Sequence, residues 1–214
     1  MRDCTIVFDL DGTLADTRED LAASLNHALD FLGRPPLDLE TVTSYVGNGA
    51  RTLIERALGS DANPERIEAG LDSFVQDYRE GCLRKTTLYP GTAATLEGLR
   101  SKHLAVLTNK PLYHSRKILA ALGLEHYFLS IVGGDTLPSK KPDPAGLHTI
   151  LQASGVAPER TLLIGDSAVD IETARAAGVT SAFVTYGFSP DAEREARPDH
   201  VLSSLRELLD ERPS

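Results

Sequence analysis

Several residue types that mark other classes of protein are scarce in this chain. Its 214 residues include no tryptophan, one methionine and two cysteines. Those cysteines, Cys4 and Cys82, lack the spacing of a metal site, so we expect buried thiols rather than a disulfide. No apolar run has the length of a membrane span, and aspartates interrupt the first run too early for a signal peptide. We therefore expect a cytoplasmic protein that does not bind membranes.

Positive charge is also scarce. The chain has 22 lysines and arginines against 31 aspartates and glutamates, and its formal net charge is −9. A nucleic-acid-binding protein needs a basic face, so we expect no nucleic-acid partner. The same charge repels an anionic small molecule, which would need local cations to bind. The sequence gives no sign of an obligate protein partner.

Short apolar runs rich in β-branched residues alternate with helical patterns along most of the chain. The runs lie at 5–8, 104–107, 129–132, 161–164, 182–185 and 200–202, and the helical patterns at 92–99, 115–122, 145–153 and 171–177. Strand–helix alternation with nearly continuous apolar strands is typical of a parallel sheet covered on both faces. We therefore predict an α/β fold, a doubly wound parallel sheet with a Rossmann-like core.

One segment, 15–82, departs from this alternation. It shows no convincing strand, and its apolar residues recur at helical spacing, as in Leu21, Leu25 and Leu29. We predict two domains, an α/β core formed by 1–14 and 83–214, and an inserted all-helical cap formed by 15–82. Near the end of the chain, the acidic stretches 191–197 and 207–212 are interpreted as solvated helix faces.

The first predicted strand, residues 5–8, ends in two aspartates, Asp9 and Asp11, before the turn at Gly12. Side chains alternate along a strand, so both carboxylates should project to the same side. Two adjacent carboxylates repel each other unless a proton or a cation lies between them. The strand is too apolar to lie on a surface, which disfavours a tolerated pair of surface acids. We infer that the pair has a chemical role.

Polar residues also follow three other predicted strands. Residues 108–110 (Thr-Asn-Lys) follow the second strand, and Lys140 and Lys141 lie in the loop after the third. The fourth strand ends in Asp166, and Asp170 lies one helical turn further on. Ligands of open parallel sheets bind beyond the carboxyl ends of the strands, so we expect these residues to converge on one site.

The residue types suit phosphoryl transfer. The carboxylates of Asp9, Asp11 and Asp166 are hard oxygen ligands that suit Mg²⁺ together with a phosphate oxygen and waters. Asp9 could attack phosphorus to give an aspartyl-phosphate, while Asp11 protonates the leaving alcohol and then activates water. Thr108 can hydrogen-bond phosphoryl oxygens, and Lys141 can supply a cation to the same group.

These motifs resemble those of the haloacid-dehalogenase superfamily of phosphohydrolases. Residues 9–14 (DLDGTL) look like its first motif, and Thr108, Lys141 and 165–170 (GDSAVD) resemble the second, third and fourth, in order. The resemblance covers essentially the whole chain. The segment 15–82 is similar to the first type of cap in the superfamily.

The resemblance implies a role for each motif residue. The nucleophile would be Asp9 and the general acid/base Asp11. Mg²⁺ would be held by Asp9, the carbonyl of Asp11 and Asp166. Asp170 would lie in the outer shell of the metal and orient the site.

Within the superfamily, four further segments resemble phosphoglycolate phosphatases. They are 46–51 (VGNGAR), 89–91 (YPG), 108–111 (TNKP) and 133–136 (GGDT). The resemblance implies hydrolysis of a small phosphorylated metabolite, 2-phosphoglycolate. A phosphatase of another small sugar phosphate, such as N-acetylmuramic acid 6-phosphate, a phosphomutase, and a phosphate-binding regulatory protein are the alternatives.

The residues expected to bind the rest of the substrate lie mainly in the cap. Gly47 and Asn48 form a glycine-lined loop, and Arg51 behind it could clamp a substrate carboxylate. Asn109 is a further candidate in the core.

Lys110 and Lys140 are interpreted as solvated neighbours of the site rather than participants. The six histidines are interpreted as ordinary surface or half-buried residues, because no pair has the helical spacing of a zinc motif.

Overall fold

The chain is described by a computed structural model over residues 4–189 and 196–210. Its strands are β1 (Thr5–Phe8), β2 (Ala15–Asp16), β3 (Thr87–Leu88), β4 (His103–Leu107), β5 (Ser130–Val132), β6 (Thr161–Gly165), β7 (Thr180–Val184) and β8 (His200–Leu202). Six of them form one sheet in the order β5-β4-β1-β6-β7-β8, and every neighbouring pair is parallel. The predicted doubly wound parallel sheet is confirmed, with the reversal of strand order beside β1.

Helices cover both faces of this sheet. Side chains alternate along β1, so that Phe8 joins a hydrophobic cluster on one face and Val7 joins a cluster on the other. Helices α5 (Thr92–Gly98) and α6 (Leu112–Ala121) pack against the face of Phe8, and α7 (Ala145–Ser154) and α8 (Ala168–Ala176) against the face of Val7. A short helix, Glu207–Asp210, ends the described chain.

Four helices lie between β2 and β3. They are α1 (Arg18–Phe31), α2 (Leu39–Tyr45), α3 (Ala50–Leu58) and α4 (Pro64–Gly81), and α1 packs along α4. Helix α4 begins where Asn63 accepts a hydrogen bond from Arg66 N (3.0 Å) and Pro64 occupies the first turn. The helices are as predicted, whereas the division of the chain into core and cap domains stays a prediction.

Two strands of two residues each, β2 and β3, pair at the ends of this helical segment and form a short ribbon. Ala15 pairs with Leu88 and Asp16 with Thr87, antiparallel. The sequence analysis predicted no strand here, because two residues carry no periodicity and the partner strand lies beyond all four helices. Both cysteines are free, as expected; Cys82 is buried, whereas Cys4 is only partly buried.

The acidic stretch 191–197 lies mostly outside the described residues, as does the end of 207–212. Among the residues that are described, no helix has both the length and the apolar character needed to cross a bilayer.

Asp20 of α1 hydrogen-bonds to Lys85 and Thr86, the residues that lead into β3. Its buried carboxylate accepts hydrogen bonds from Lys85 N (2.9 Å), Thr86 N (2.9 Å) and Thr86 Oγ1 (2.8 Å). Replacing Asp20 by alanine leaves the buried groups of Thr86 without a partner. Such losses cost about 1–3 kcal/mol.

We therefore expect Asp20→Ala to lower the free energy of unfolding by about 2 kcal/mol in urea denaturation followed by circular dichroism. The exposed Asp72 of α4 provides the control, since Asp72→Ala should change that free energy by less than about 0.5 kcal/mol. Equal effects of the two substitutions would contradict the conclusion that the hydrogen bonds of Asp20 stabilise the fold.

Candidate active site

The ends of the central strands place the motif residues side by side. In the register of the sheet, Phe8 of β1 lies opposite Val106 of β4 and Ile164 of β6. Backbone pairing continues past the strand ends, where Asp9 N donates to the carbonyl of Ile164 (2.8 Å) and Thr108 N to that of Val132 (3.0 Å). The side chains that follow these strands therefore meet at one edge of the sheet, as the sequence predicted.

Three carboxylates form a buried cluster at this edge. Asp9, Asp166 and Asp170 each offer an oxygen, and these oxygens lie within 4.8 Å of one another, so that together they could hold a metal ion. Two glycines allow this approach. A Cβ atom at Gly12 would lie 2.1 Å from Asp166 Oδ2, and one at Gly187 would lie 2.2 Å from Asp166 Cβ. The backbone at these two positions can come this close only because no side chain intervenes.

Backbone and hydroxyl donors hold two of the three carboxylates. Asp166 Oδ2 accepts a hydrogen bond from Phe188 N (2.6 Å), in the loop after β7. Asp170 Oδ2 accepts from Ser167 N (3.2 Å) and Ser167 Oγ (2.6 Å), which forms a capping box at the start of α8. The orientation of both groups is therefore set by the local fold.

Lys141 lies where the sequence analysis expected a cation. Its Nζ is 3.0 Å from Asp9 Oδ1 and 2.6 Å from Asp170 Oδ1, and its side chain is buried. Burial lowers the pKa of Lys141, but the carboxylates of Asp170 and Asp9 outweigh it, and the net shift is upward. Lys141 therefore remains a cation between two acids.

In the described part of the chain, the three carboxylates of the cluster outnumber the single cation, Lys141, that contacts them. Burial raises the pKa of Asp9 to about 6; Lys141 opposes that shift, while Asp170 and Asp11 add to it. Burial, with Asp170 next, also raises the pKa of Asp166. Both acids therefore bind protons more tightly than exposed aspartates do, and a divalent cation that displaced those protons would relieve the repulsion. The donor set of hard oxygens suits such an ion.

Asp11 lies apart from this cluster. Lys110 Nζ contacts both of its carboxylate oxygens, at 2.8 and 2.9 Å, and Thr17 Oγ1 donates to Oδ1 (2.6 Å). The interpretation of Lys110 as a solvated neighbour is wrong, because its side chain is buried and ion-paired. Lys140 is exposed as expected, and its amine donates to the carbonyl of Asn48 (2.5 Å). The side chain of Asp11 is therefore held by Lys110 and Thr17, separately from the three carboxylates of the cluster.

A cavity lies between this edge of the sheet and the helical segment. It encloses roughly 730 Å³ of empty space, part of it open to solvent. Asp9, Asp11, Thr108 and Asp166 line one side, and apolar residues of the helical segment, such as Phe74, line the other. Three of the predicted catalytic residues, Asp9, Asp11 and Thr108, therefore face a space large enough for a small molecule.

Of the two loop residues expected to bind substrate, Gly47 lies at the cavity and Asn48 does not. Gly47 lines it, and its carbonyl accepts a hydrogen bond from Asn109 Nδ2 (2.9 Å). The same amide donates to the carbonyl of Lys141 (3.1 Å), so Asn109 ties the loop to the core. The Asn48 side chain instead accepts from Arg56 Nη2 (2.9 Å).

Arg51 does not form the expected carboxylate clamp. Its guanidinium pairs with Glu68 of α4, and nearly half of its side chain is exposed. Arg51 is not among the residues that line the cavity.

Tyr78 and His114 are cavity residues that the sequence analysis missed. Both are buried, and the ring of Tyr78 contacts that of His114 edge-on at 5.3 Å. Burial, followed by the charge of Lys110, lowers the pKa of His114 to about 4, so it is neutral at pH 7. In the sequence, Tyr78 follows Phe74 at helical spacing, a pattern that predicts a core residue rather than a cavity residue. The alternation that paired Asp9 with Asp11 also pairs Thr108 with Lys110, and could have placed Lys110 in the site.

Comparisons with known proteins agree with this geometry. A family model described as haloacid dehalogenase-like hydrolase matches residues 6–184. The phosphoglycolate phosphatase of Pseudomonas putida is 42% identical over 212 residues, covering 95% of this chain and 78% of the relative. That of Chromobacterium violaceum is 40% identical and covers 96% and 94%. The crystal structure of a predicted phosphoglycolate phosphatase from Haemophilus somnus superposes with a TM-score of 0.92 at 33% identity, covering 98% of both chains.

The acidic cluster predicts a pH-dependent response to Mg²⁺. Because the pKa of Asp9 is about 6, protons compete with the metal at pH 5 but not at pH 7.5. We expect Mg²⁺ to raise the melting temperature more at pH 7.5 than at pH 5, as measured by differential scanning calorimetry.

Asp166→Asn should abolish this shift, whereas Asp72→Asn, at an exposed position of α4, should keep it. An equal shift at both pH values, or a full shift in Asp166→Asn, would mean that the ion binds elsewhere.

Proposed function

Because the chain belongs to the haloacid dehalogenase-like hydrolases and is a phosphatase of that family, we propose that it hydrolyses phosphomonoesters through an aspartyl-phosphate on Asp9. The observation that carries this proposal is the position of that carboxylate. Asp9 is buried, faces the cavity, and has one oxygen held by Lys141 (3.0 Å) and by Leu10 N (2.7 Å). A carboxylate fixed in this way is pre-positioned for attack on phosphorus.

Two displacements at phosphorus would complete the reaction. In the first, an oxygen of Asp9 forms a bond to phosphorus, the ester P–O bond breaks, and Asp11, protonated at this stage, donates its proton to the departing alkoxide. In the second, Asp11 removes a proton from water, the water oxygen attacks phosphorus, and the Asp9–phosphorus bond breaks. Inorganic phosphate leaves, and both carboxyl groups return to their starting states.

The remaining motif residues would bind the phosphoryl group and a cation. Thr108 and Lys141 are the proposed phosphate ligands, since a hydroxyl and a buried cation can stabilise developing charge on the phosphoryl oxygens. Asp9, Asp166 and the carbonyl of Asp11 would hold Mg²⁺, with Asp170 orienting the site. When bound, the ion would neutralise charge between the nucleophile and the phosphate.

The helical segment is proposed to act as a cap. Its residues line the side of the cavity opposite Asp9, and Asn109 ties its Gly47 loop to the core. We keep the proposed division into a core, 1–14 and 83–214, and a cap, 15–82. A cap in this position would exclude bulk water once substrate is bound.

We propose 2-phosphoglycolate as the substrate. The relatives from P. putida and C. violaceum that cover almost all of this chain are named phosphoglycolate phosphatases. The cavity supports a small ester, because its helical side is apolar and offers little for a large polar group to bind.

Activity on a panel of esters tests both the chemistry and the substrate. We expect Mg²⁺-dependent release of phosphate, with the highest kcat/KM on 2-phosphoglycolate. A higher value on N-acetylmuramic acid 6-phosphate would reassign the substrate, and transfer of phosphate within a sugar without its release would indicate a phosphomutase.

Asp9→Asn should abolish turnover, because an amide cannot act as the nucleophile. The protein should remain folded, since the substitution removes one of several mutually repelling charges. Phosphate release and circular dichroism measure the two effects, with Asp72→Asn as the control. Substantial turnover by folded Asp9→Asn would contradict the assignment.

Arg51→Ala tests whether the outward position of this side chain holds during turnover. Because Arg51 pairs with Glu68 at the surface, we expect KM for 2-phosphoglycolate to change by less than about twofold. Arg100→Ala, which removes another exposed arginine paired with a glutamate, is the matched control. A large rise in KM for Arg51→Ala alone would restore the carboxylate clamp.

A further inference from the structure

Lys110 is a buried cation that the proposed reaction does not yet use. Its side chain is 4% exposed, and its amine contacts both carboxylate oxygens of Asp11, at 2.8 and 2.9 Å. Thr17 Oγ1 donates to the same carboxylate (2.6 Å). Three contacts therefore hold the Asp11 carboxylate in one orientation.

The pair formed by Lys110 and Asp11 differs from a surface ion pair. Removing an ammonium group from water is unfavourable unless close partners compensate. The partners of Lys110 are the carboxylate of Asp11 and the ring of Tyr78, whose centroid lies 4.8 Å from Nζ. With so few partners, the position of the amine depends on these two residues.

Tyr78 joins this pair to the helical segment. It lies on α4, where Phe74 stacks on its ring at 5.4 Å with an interplanar angle of 12°. On the opposite side, Tyr78 meets His114 of α6 edge-on. The contact between Tyr78 and Lys110 therefore runs from the helical segment to a residue that follows β4 in the sheet.

We propose that Lys110 is a positioning residue for Asp11, and that the ring of Tyr78 makes this positioning depend on the packing of α4 against the sheet. This inference rests on the proposed function, in which Asp11 transfers the proton. Lys110 differs from Lys141, which contacts Asp9 and Asp170 instead. The two buried lysines therefore serve different steps, Lys141 at the nucleophile and Lys110 at the acid.

Esters with different leaving groups can distinguish this positioning role from a general structural role. An alkoxide is a strong base and leaves only when Asp11 protonates it, whereas p-nitrophenolate leaves without that proton. Misplacing Asp11 should therefore reduce the first displacement with an alkyl ester far more than with p-nitrophenyl phosphate. The measured quantity is kcat/KM, which reports the steps up to the first irreversible one and is not affected by the later hydrolysis of the aspartyl-phosphate.

The test compares Lys110→Met with Lys85→Met, since Lys85 is exposed and lies outside the site. We expect Lys110→Met to lose about 100-fold in kcat/KM on 2-phosphoglycolate and less than about 10-fold on p-nitrophenyl phosphate. In an Asp11→Asn background, Lys110→Met should cause little further loss on 2-phosphoglycolate, because the residue it positions no longer acts. Lys85→Met should match the wild type on both esters.

Tyr78 provides a second test that leaves the ion pair in place. Tyr78→Leu removes the ring and should lower kcat/KM selectively on 2-phosphoglycolate, whereas Tyr78→Phe keeps the ring and should have little effect. The two Tyr78 variants test the positioning role even if Lys110→Met does not fold.

Two outcomes would overturn different statements. A wild-type protein that releases no phosphate would overturn the proposed function. An active wild type with equal losses on both esters in the folded Lys110 and Tyr78 variants would overturn the positioning role alone.

Discussion

The mutual repulsion of buried carboxylates is the constraint around which this site is arranged. Asp9, Asp166 and Asp170 each have a carboxylate oxygen within 4.8 Å of the others at the edge of the sheet. Burial strengthens the repulsion between them. Each is held by groups that the fold supplies: Lys141, the backbone of the loop after β7, and the first turn of α8. The site therefore stores an unfavourable interaction that a divalent cation would relieve.

The sheet makes this concentration of charge possible. The reversal of strand order lies beside β1, so β4 and β6 flank β1 and the residues that follow these three strands come together at one edge of the sheet. The hydrophobic clusters on both faces fix the strands, and a shift by one residue would turn Asp9 away from its partners. Stability of the core and geometry of the site are consequently properties of the same packing.

Much of the fold and part of the site could be predicted from the sequence. Strand ends are marked by apolar runs followed by polar residues, and parallel strands align those ends, so the meeting of Asp9, Asp166 and Lys141 follows from local patterns. The direction of Arg51 does not, because it depends on a partner, Glu68, in another helix. Burial of Lys110 likewise depends on Tyr78, which is distant in the chain. Local patterns locate elements, whereas contacts between elements decide where long side chains point.

The ribbon formed by β2 and β3 bears on how such a chain can change over evolutionary time. The helical segment leaves and re-enters the sheet through two paired strands, so its ends lie only about 5 Å apart. Any insertion whose ends meet at that spacing could be spliced in without disturbing β1 or the residues that follow it. With the proposed division into core and cap, this architecture would separate the inheritance of reaction chemistry from the inheritance of substrate choice, and the second could be exchanged as a unit.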